Sequence, residues 1–235
     1  KTTNGCFAPW MMYKDEFLGI GGHDPRFASA REDSDVFNRL VLGGFELIQS
    51  WQSFVYHLTA RGGQFQHGKL TTDHSQKSEE WQKLMNNSTR EFFRKWGTGV
   101  LHDNLLKPIV APKYDIGFVV KNCNLQILGA LEPWCSTIYV DCDYDDYIKM
   151  EQPNTTDNLS EKIYSIHSEK NNDIIVRFDA NQITNQSFQY IRQLSRIITD
   201  DDNFFTGKFE FDIFEVEIIN KNTYDTSRVD LREII

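Results

Sequence analysis

The sequence predicts an α/β protein, on three observations. Apolar residues recur at helical spacing in some segments and crowd into short β-branched or aromatic runs in others. Beyond residue 112 the two kinds of segment alternate along the chain, as they do when helices layer onto a sheet. The composition also suits a packed core: of 235 residues, 40% are hydrophobic and 25% charged.

The first stretch, residues 1 to 112, opens on an aromatic run. Phe7 to Tyr13 reads as a buried strand, and Asp15 to Ile20 as a short helix ended by Gly21-Gly22. His23 to Ala30, with Pro25, is a loop. A helix follows. Ser29 and Glu32 have the capping-box spacing, which predicts Ser29 as its N-cap. Val36, Phe37, Leu40 and Val41 form its apolar stripe, and Gly43-Gly44 stops it. Phe45 to Tyr56 alternates loosely, as a strand would, with His57 at its end. Residues 59 to 77 are polar and glycine-rich, a surface loop. Ser78 to Trp96 is a strong helix, closed by Gly97. Pro108 and Pro112 mark a boundary.

Residues 113 to 235 read as a smaller α/β module. Strands are predicted at Tyr114–Val120, Thr137–Val140 and Ile174–Phe178, and one long strand at Phe209–Ile219. Helices are predicted at Leu125–Leu131, Leu159–Ile166 and Phe188–Ile198. Asp141-Cys142-Asp143 at a strand end is read as part of a solvated acidic turn rather than a metal site.

The formal net charge is −9, which argues against nucleic acid as a partner for the whole surface. Four cysteines lack the Cys-x-x-Cys spacing of a zinc site and read as reduced thiols. No apolar run is long enough to cross a bilayer. No charged start leads into an apolar export core, so the compartment expected is the cytoplasm. The chain opens on Lys1 and reaches aromatic sequence at once, as if within a longer protein.

The densest chemistry lies in Arg31-Glu32-Asp33-Ser34-Asp35-Val36-Phe37-Asn38-Arg39-Leu40. Three carboxylates crowd the first helical turn. Acidic side chains favour that position for structural reasons alone, through exposed N–H groups and the helix dipole. A carboxylate held there beside a cleft can also take a proton from a substrate hydroxyl as that hydroxyl attacks. A second carboxylate can bind neighbouring hydroxyls and fix their orientation. Sugars present such arrays, and Trp10, Tyr13 and Trp51 are aromatic surfaces on which a sugar's apolar face can stack.

The run Gly19-Ile20-Gly21-Gly22-His23-Asp24-Pro25-Arg26-Phe27, then Arg31 to Leu40, then Gly44-Phe45, resembles the second half of GT-A fold glycosyltransferases. Its Gly-Gly-x-Asp-x-x-Phe turn looks like glycosyltransferase family 2. Its acidic run is closer to the Glu-Asp-x-Asp-Ile/Val-Phe-Asn-Arg-Leu of the β-1,4-galactosyltransferase group. The likeness covers residues 5 to 60. One departure is that Ala28-Ser29-Ala30 intervenes between Phe27 and the acidic run.

The resemblance implies inverting hexosyl transfer from a nucleotide-sugar donor to a glycan acceptor. By position, Asp33 would be the general base. Glu32 and Asp35, with Trp10 and Trp51, would bind the acceptor. His57 would ligate a divalent ion, Mn²⁺ by its mixed carboxylate–imidazole chemistry, and the loop after it would close over the donor. In that family an earlier half-domain with an Asp-x-Asp motif holds the donor. None precedes the acidic run, so residues 1–112 are expected to be the acceptor side of a GT-A domain whose donor half is missing. The alternative is a non-catalytic carbohydrate-binding or assembly module derived from such an enzyme.

Overall fold

The computed structural model describes residues 10–28, 30–48, 52, 56, 79–200 and 206–223. Its main layer is a mixed six-stranded sheet built from the second half of the chain. β1 (Ile116–Lys121), β2 (Thr137–Val140), β3 (Ile163–Ser165) and β4 (Ile174–Asp179) run parallel, and β5 (Gly207–Phe211) and β6 (Phe214–Ile218) close one edge as a hairpin. The strand order is β3-β2-β1-β4-β6-β5, with β6 antiparallel to β4. The register aligns Val120 with Val140 on one side and with Phe178 on the other.

The apolar runs explain this layer. Parallel strands joined by crossover helices are covered on both faces, so they need no polar alternation. β1 is buried from Ile116 through Val120. Phe118, Val120, Ile138, Val140, Ile174 and Val176 point into the main core with Leu128, Leu131, Ile191, Leu194 and Ile198. Val119, Tyr139 and Ile175 form a smaller cluster on their own. The antiparallel strand β6 does alternate, with Phe214, Val216 and Ile218 inward and Glu215 exposed.

The helices are α1 (Lys14–Gly19), α2 (Glu32–Leu42), α3 (Glu79–Trp96), α4 (Leu125–Leu131), α5 (Asp145–Glu151) and α6 (Asn185–Asp200). Asn124 caps α4, its side chain accepting from the Ile127 amide at 2.9 Å. Gly21 and Gly22, at φ +89° and +68°, turn the chain out of α1 as expected. Gly97, at +70°, does the same after α3.

Several expectations fail. Residues 10–13, predicted as the end of a buried strand, have no regular structure, and Met11 is 97% exposed. Helix α2 starts at Glu32 with Arg31 as its N-cap, in the left-handed region at φ +74°, so the capping box drawn from Ser29 does not set its start. Ser29 itself lies outside the described residues. Phe45–Ile48, the beginning of the predicted strand, belong to no strand; most of the remainder lies outside the described residues. Leu159–Ile166 is a turn of 3₁₀-helix followed by β3, not an α-helix. The long strand at 209–219 is the β5–β6 hairpin, folded at Asp212, where φ is +50°.

Helix α3 joins the two stretches of sequence. Its Phe92 and Trp96 pack with Phe27 from the first stretch. Its Phe93 stacks on Trp134 of the second at 4.0 Å between ring centroids. Arg90 donates to the Gly129 carbonyl at 2.7 Å, beyond the proline-marked boundary.

Candidate functional site

The acidic run sits at the start of α2, and the helix is held there from behind. Val36, Phe37 and Leu40 pack with Ile20, and Trp10, Met12, Phe17, Phe45 and Leu47 lean on the same cluster. Burying each such side chain contributes about 1.5–3 kcal/mol. Below this stripe lies a buried ionic centre. Arg39 is fully buried and pairs with Asp35, one helical turn earlier, at 2.8 Å. Its other nitrogens donate to the carbonyls of Ile20 and Gly22, so the double-glycine turn is fastened to the helix.

Helix α3 completes this centre. Lys95 reaches Asp35 and Asp24, both at 2.7 Å, and the Trp96 indole N–H donates to Asp35 at 2.9 Å. Arg26 closes on Asp24 at 2.7 Å. Burial opposes the charged form of Asp24, but Arg26 and Lys95 outweigh it and hold its carboxyl well below the usual carboxylate range. For Lys95 burial wins: its ammonium pKa is lowered despite Asp35 and Asp24.

Asp35 therefore has a different place from the one expected. Its carboxylate is 0% exposed, and both oxygens are engaged by Arg39, Lys95 and Trp96. A sugar hydroxyl has no route to it in this arrangement. It positions α2 instead.

Asp33 and Glu32 differ. Both are half-buried at the helix tip. The Trp10 indole N–H donates to Asp33 Oδ1 at 3.1 Å. Trp10 is itself backed by Phe17, at 5.6 Å between centroids, and by His23, at 6.1 Å. The structure thus brings together Trp10 and Asp33, with Glu32 next in the chain and His23 exposed alongside. His23, Lys95 and Trp96 were not expected at the site from the sequence, and Asp24 entered only as the acid of the double-glycine turn. The Asp35–Arg39 pair was detectable, because opposite charges four apart on a helix face one another. Trp51, His57 and the loop at 59–77 lie outside the described residues.

A second acidic group lies at the carboxyl ends of the parallel strands. Asp141 accepts from the backbone amides of Asn122 and Cys123, at 2.7 and 2.9 Å. Asp179 accepts from the Asn122 side chain and the Asn181 amide, both at 2.8 Å. Asp143 accepts from the Asp145 amide at 3.1 Å. These carboxylates shape the loops between strand and helix, in line with a turn. Among the described residues no three His, Cys, Asp or Glu side chains are grouped as metal ligands. No described helix is long and apolar enough to cross a membrane.

No family model, no curated protein and no solved structure matches this chain.

Proposed function

We propose that this chain carries the acceptor side of an inverting hexosyltransferase of GT-A type, with Asp33 as the general base. The observation behind this is Asp33 itself: a half-buried carboxylate at a helix tip, fixed by the Trp10 indole and seated on a helix anchored by buried ion pairs. An acid so held keeps its geometry while a substrate approaches, and positioning of this kind is where such catalysis draws much of its rate.

In the proposed reaction, Asp33 takes the proton of an acceptor hydroxyl as its oxygen attacks the anomeric carbon of a nucleotide sugar. The nucleotide diphosphate leaves with the bonding electron pair. Glu32 orients a neighbouring hydroxyl, and Trp10 offers a face for the sugar ring. Asp35 acts through the helix it positions. The divalent ion that the resemblance implies, with His57 as a ligand, would stabilise the departing diphosphate. His57 lies outside the described residues, and among those described no three His, Cys, Asp or Glu side chains are grouped as metal ligands.

The test is nucleotide-sugar turnover with Mn²⁺ and a panel of glycan acceptors, on this chain with whatever sequence naturally flanks it. Asp33→Asn should lower kcat by about 10²–10⁴, the usual contribution of a general base. Transfer at the wild-type rate in a folded Asp33→Asn protein removes Asp33 from the role of base. The second reading, a carbohydrate-binding module, rests on Trp10 bonded to the Asp33 carboxylate, an aromatic–acid pairing that can hold a sugar without a metal. It predicts glycan binding unaffected by chelator, with no donor turnover.

A further inference from the structure

The carboxyl ends of β1 and β2 bring two thiols together. The strands align Val120 with Val140, and both chains then leave the sheet. Asn122, in the left-handed region at φ +53°, turns the β1 chain back toward β2. Asp141 fixes that turn by accepting from two consecutive amides, those of Asn122 and Cys123. Cys142 is next in the chain after Asp141. The result is that Cys123 and Cys142, nineteen positions apart in sequence, flank one carboxylate, Cys123 through its amide and Cys142 as the next residue, and each thiol bears on the other's ionisation. Both are free thiols and both are only half-buried. Cys135 is the contrast: it is buried, and its thiol lies against the Leu131 and Glu132 carbonyls.

We infer that Cys123 and Cys142 are a dithiol modification site, which a small-molecule disulfide of the glutathione type oxidises to an intrachain disulfide joining the β1–α4 and β2–α5 loops. The chemistry is two successive exchanges. The Cys142 thiolate attacks one sulfur of the reagent and expels one reduced thiol, leaving a mixed disulfide. The Cys123 thiolate then attacks Cys142 Sγ and expels the second. Two protein thiols are oxidised, one reagent disulfide is reduced to two thiols, and the two protein protons end on the released thiols.

Burial, and then the neighbouring Cys142, push the Cys123 thiol up to about 12; Cys142 is raised as well, chiefly by burial. The pair is therefore slow to react at neutral pH and faster in mild alkali. The linkage would brace the loops at the end of the sheet where open α/β sheets receive ligands. This site stands apart from the acidic run, so its failure and that of the transferase proposal are separable.

The test treats the intact chain with oxidised glutathione at about pH 8.5, near the ordinary thiol pKa. After the reaction is quenched, the protein is denatured and alkylated, and the sites are read by fragment mass spectrometry. The expected result is a Cys123–Cys142 disulfide, seen as the loss of two hydrogens, with neither residue alkylated and no glutathione retained on either. Cys123→Ser should instead accumulate glutathione on Cys142, because the resolving thiol is gone. A stable glutathione adduct on Cys142 in the wild-type chain overturns the inference. So do full alkylation of both residues and a disulfide from either one to Cys6 or Cys135.

Discussion

Helix α3 separates two buried ionic centres that follow the same rule to different ends. On one side Asp24 and Asp35 are held by Lys95, Arg26, Arg39 and Trp96. On the other Glu132, 0% exposed, is held by Arg94 at 2.6 Å, Lys162 at 2.8 Å, Arg90 at 3.2 Å and the Tyr147 hydroxyl at 2.9 Å. Arg94 and Lys95 are adjacent in sequence, and adjacent helix positions face different neighbours. One helix therefore clamps both sides. The Glu132 centre is closed, with Arg94 also taking Glu91 and Glu151, and it fastens α3 to the sheet layer. The Asp35 centre ends within the same helical turn as Asp33 and Glu32, which stay half-buried at the surface. A buried charge with several donors can thus lock a fold shut, or fix the helix that carries a half-buried acidic tip.

The comparison breaks most sharply at Glu132. Glu132→Ala leaves Arg94 and Lys162 buried without their shared carboxylate, and removing one partner of a buried pair costs about 3–5 kcal/mol. Urea unfolding should show that loss as a lower midpoint with an unchanged slope. Lys95→Met tests the other centre. Asp24 keeps Arg26 and Asp35 keeps Arg39, so the loss should be smaller, about 1.5–3 kcal/mol, the usual worth of hydrogen bonds to charged groups. An equal or larger loss at Lys95 would mean that the Asp35 centre, not the Glu132 centre, is the main brace.

Acid sharpens the contrast. Burial opposes the charge on Glu132, but Lys162 and Arg94 prevail and bring its pKa from 4.5 down to about 2. The folded value lies below the unfolded one, so this stabilisation is complete above pH 4.5 and is lost as pH falls toward about 2. Stability measured across that window should fall more steeply for the wild type than for Glu132→Gln. Parallel curves would show that the carboxylate is not the group responsible. The smallest effect is expected at Trp10→Phe, which keeps an aromatic ring but removes the N–H bound to Asp33. The stability change should be about 0.5–1.5 kcal/mol, read from the urea midpoint.

Local signals were readable where one element meets one face of its surroundings. The apolar stripe of α2 and the buried runs of β1 and β4 declared themselves. They misled where spacing mimics another element. Leu159, Ile163 and Ile166 have the spacing of a helix face, yet Leu159 ends in a 3₁₀ turn and Ile163 begins an edge strand paired with β2. The turn at Asp212-Ile213 holds no glycine, so nothing in the sequence divided β5 from β6. At the candidate site, the acidic run stood out by composition, but composition does not say which carboxylate faces inward.

By itself, then, the sequence determined an α/β chain, the helix that carries the acidic run, and the glycines that turn the chain before it, because periodicity and backbone freedom are local properties. Only the tertiary structure decided that Asp35 is consumed in holding the helix while Asp33 lies beside Trp10, and that Cys123 meets Cys142. Those outcomes depend on groups distant in sequence: Lys95 and Trp96 arrive from α3, and the two thiols meet only when parallel strands pair in register.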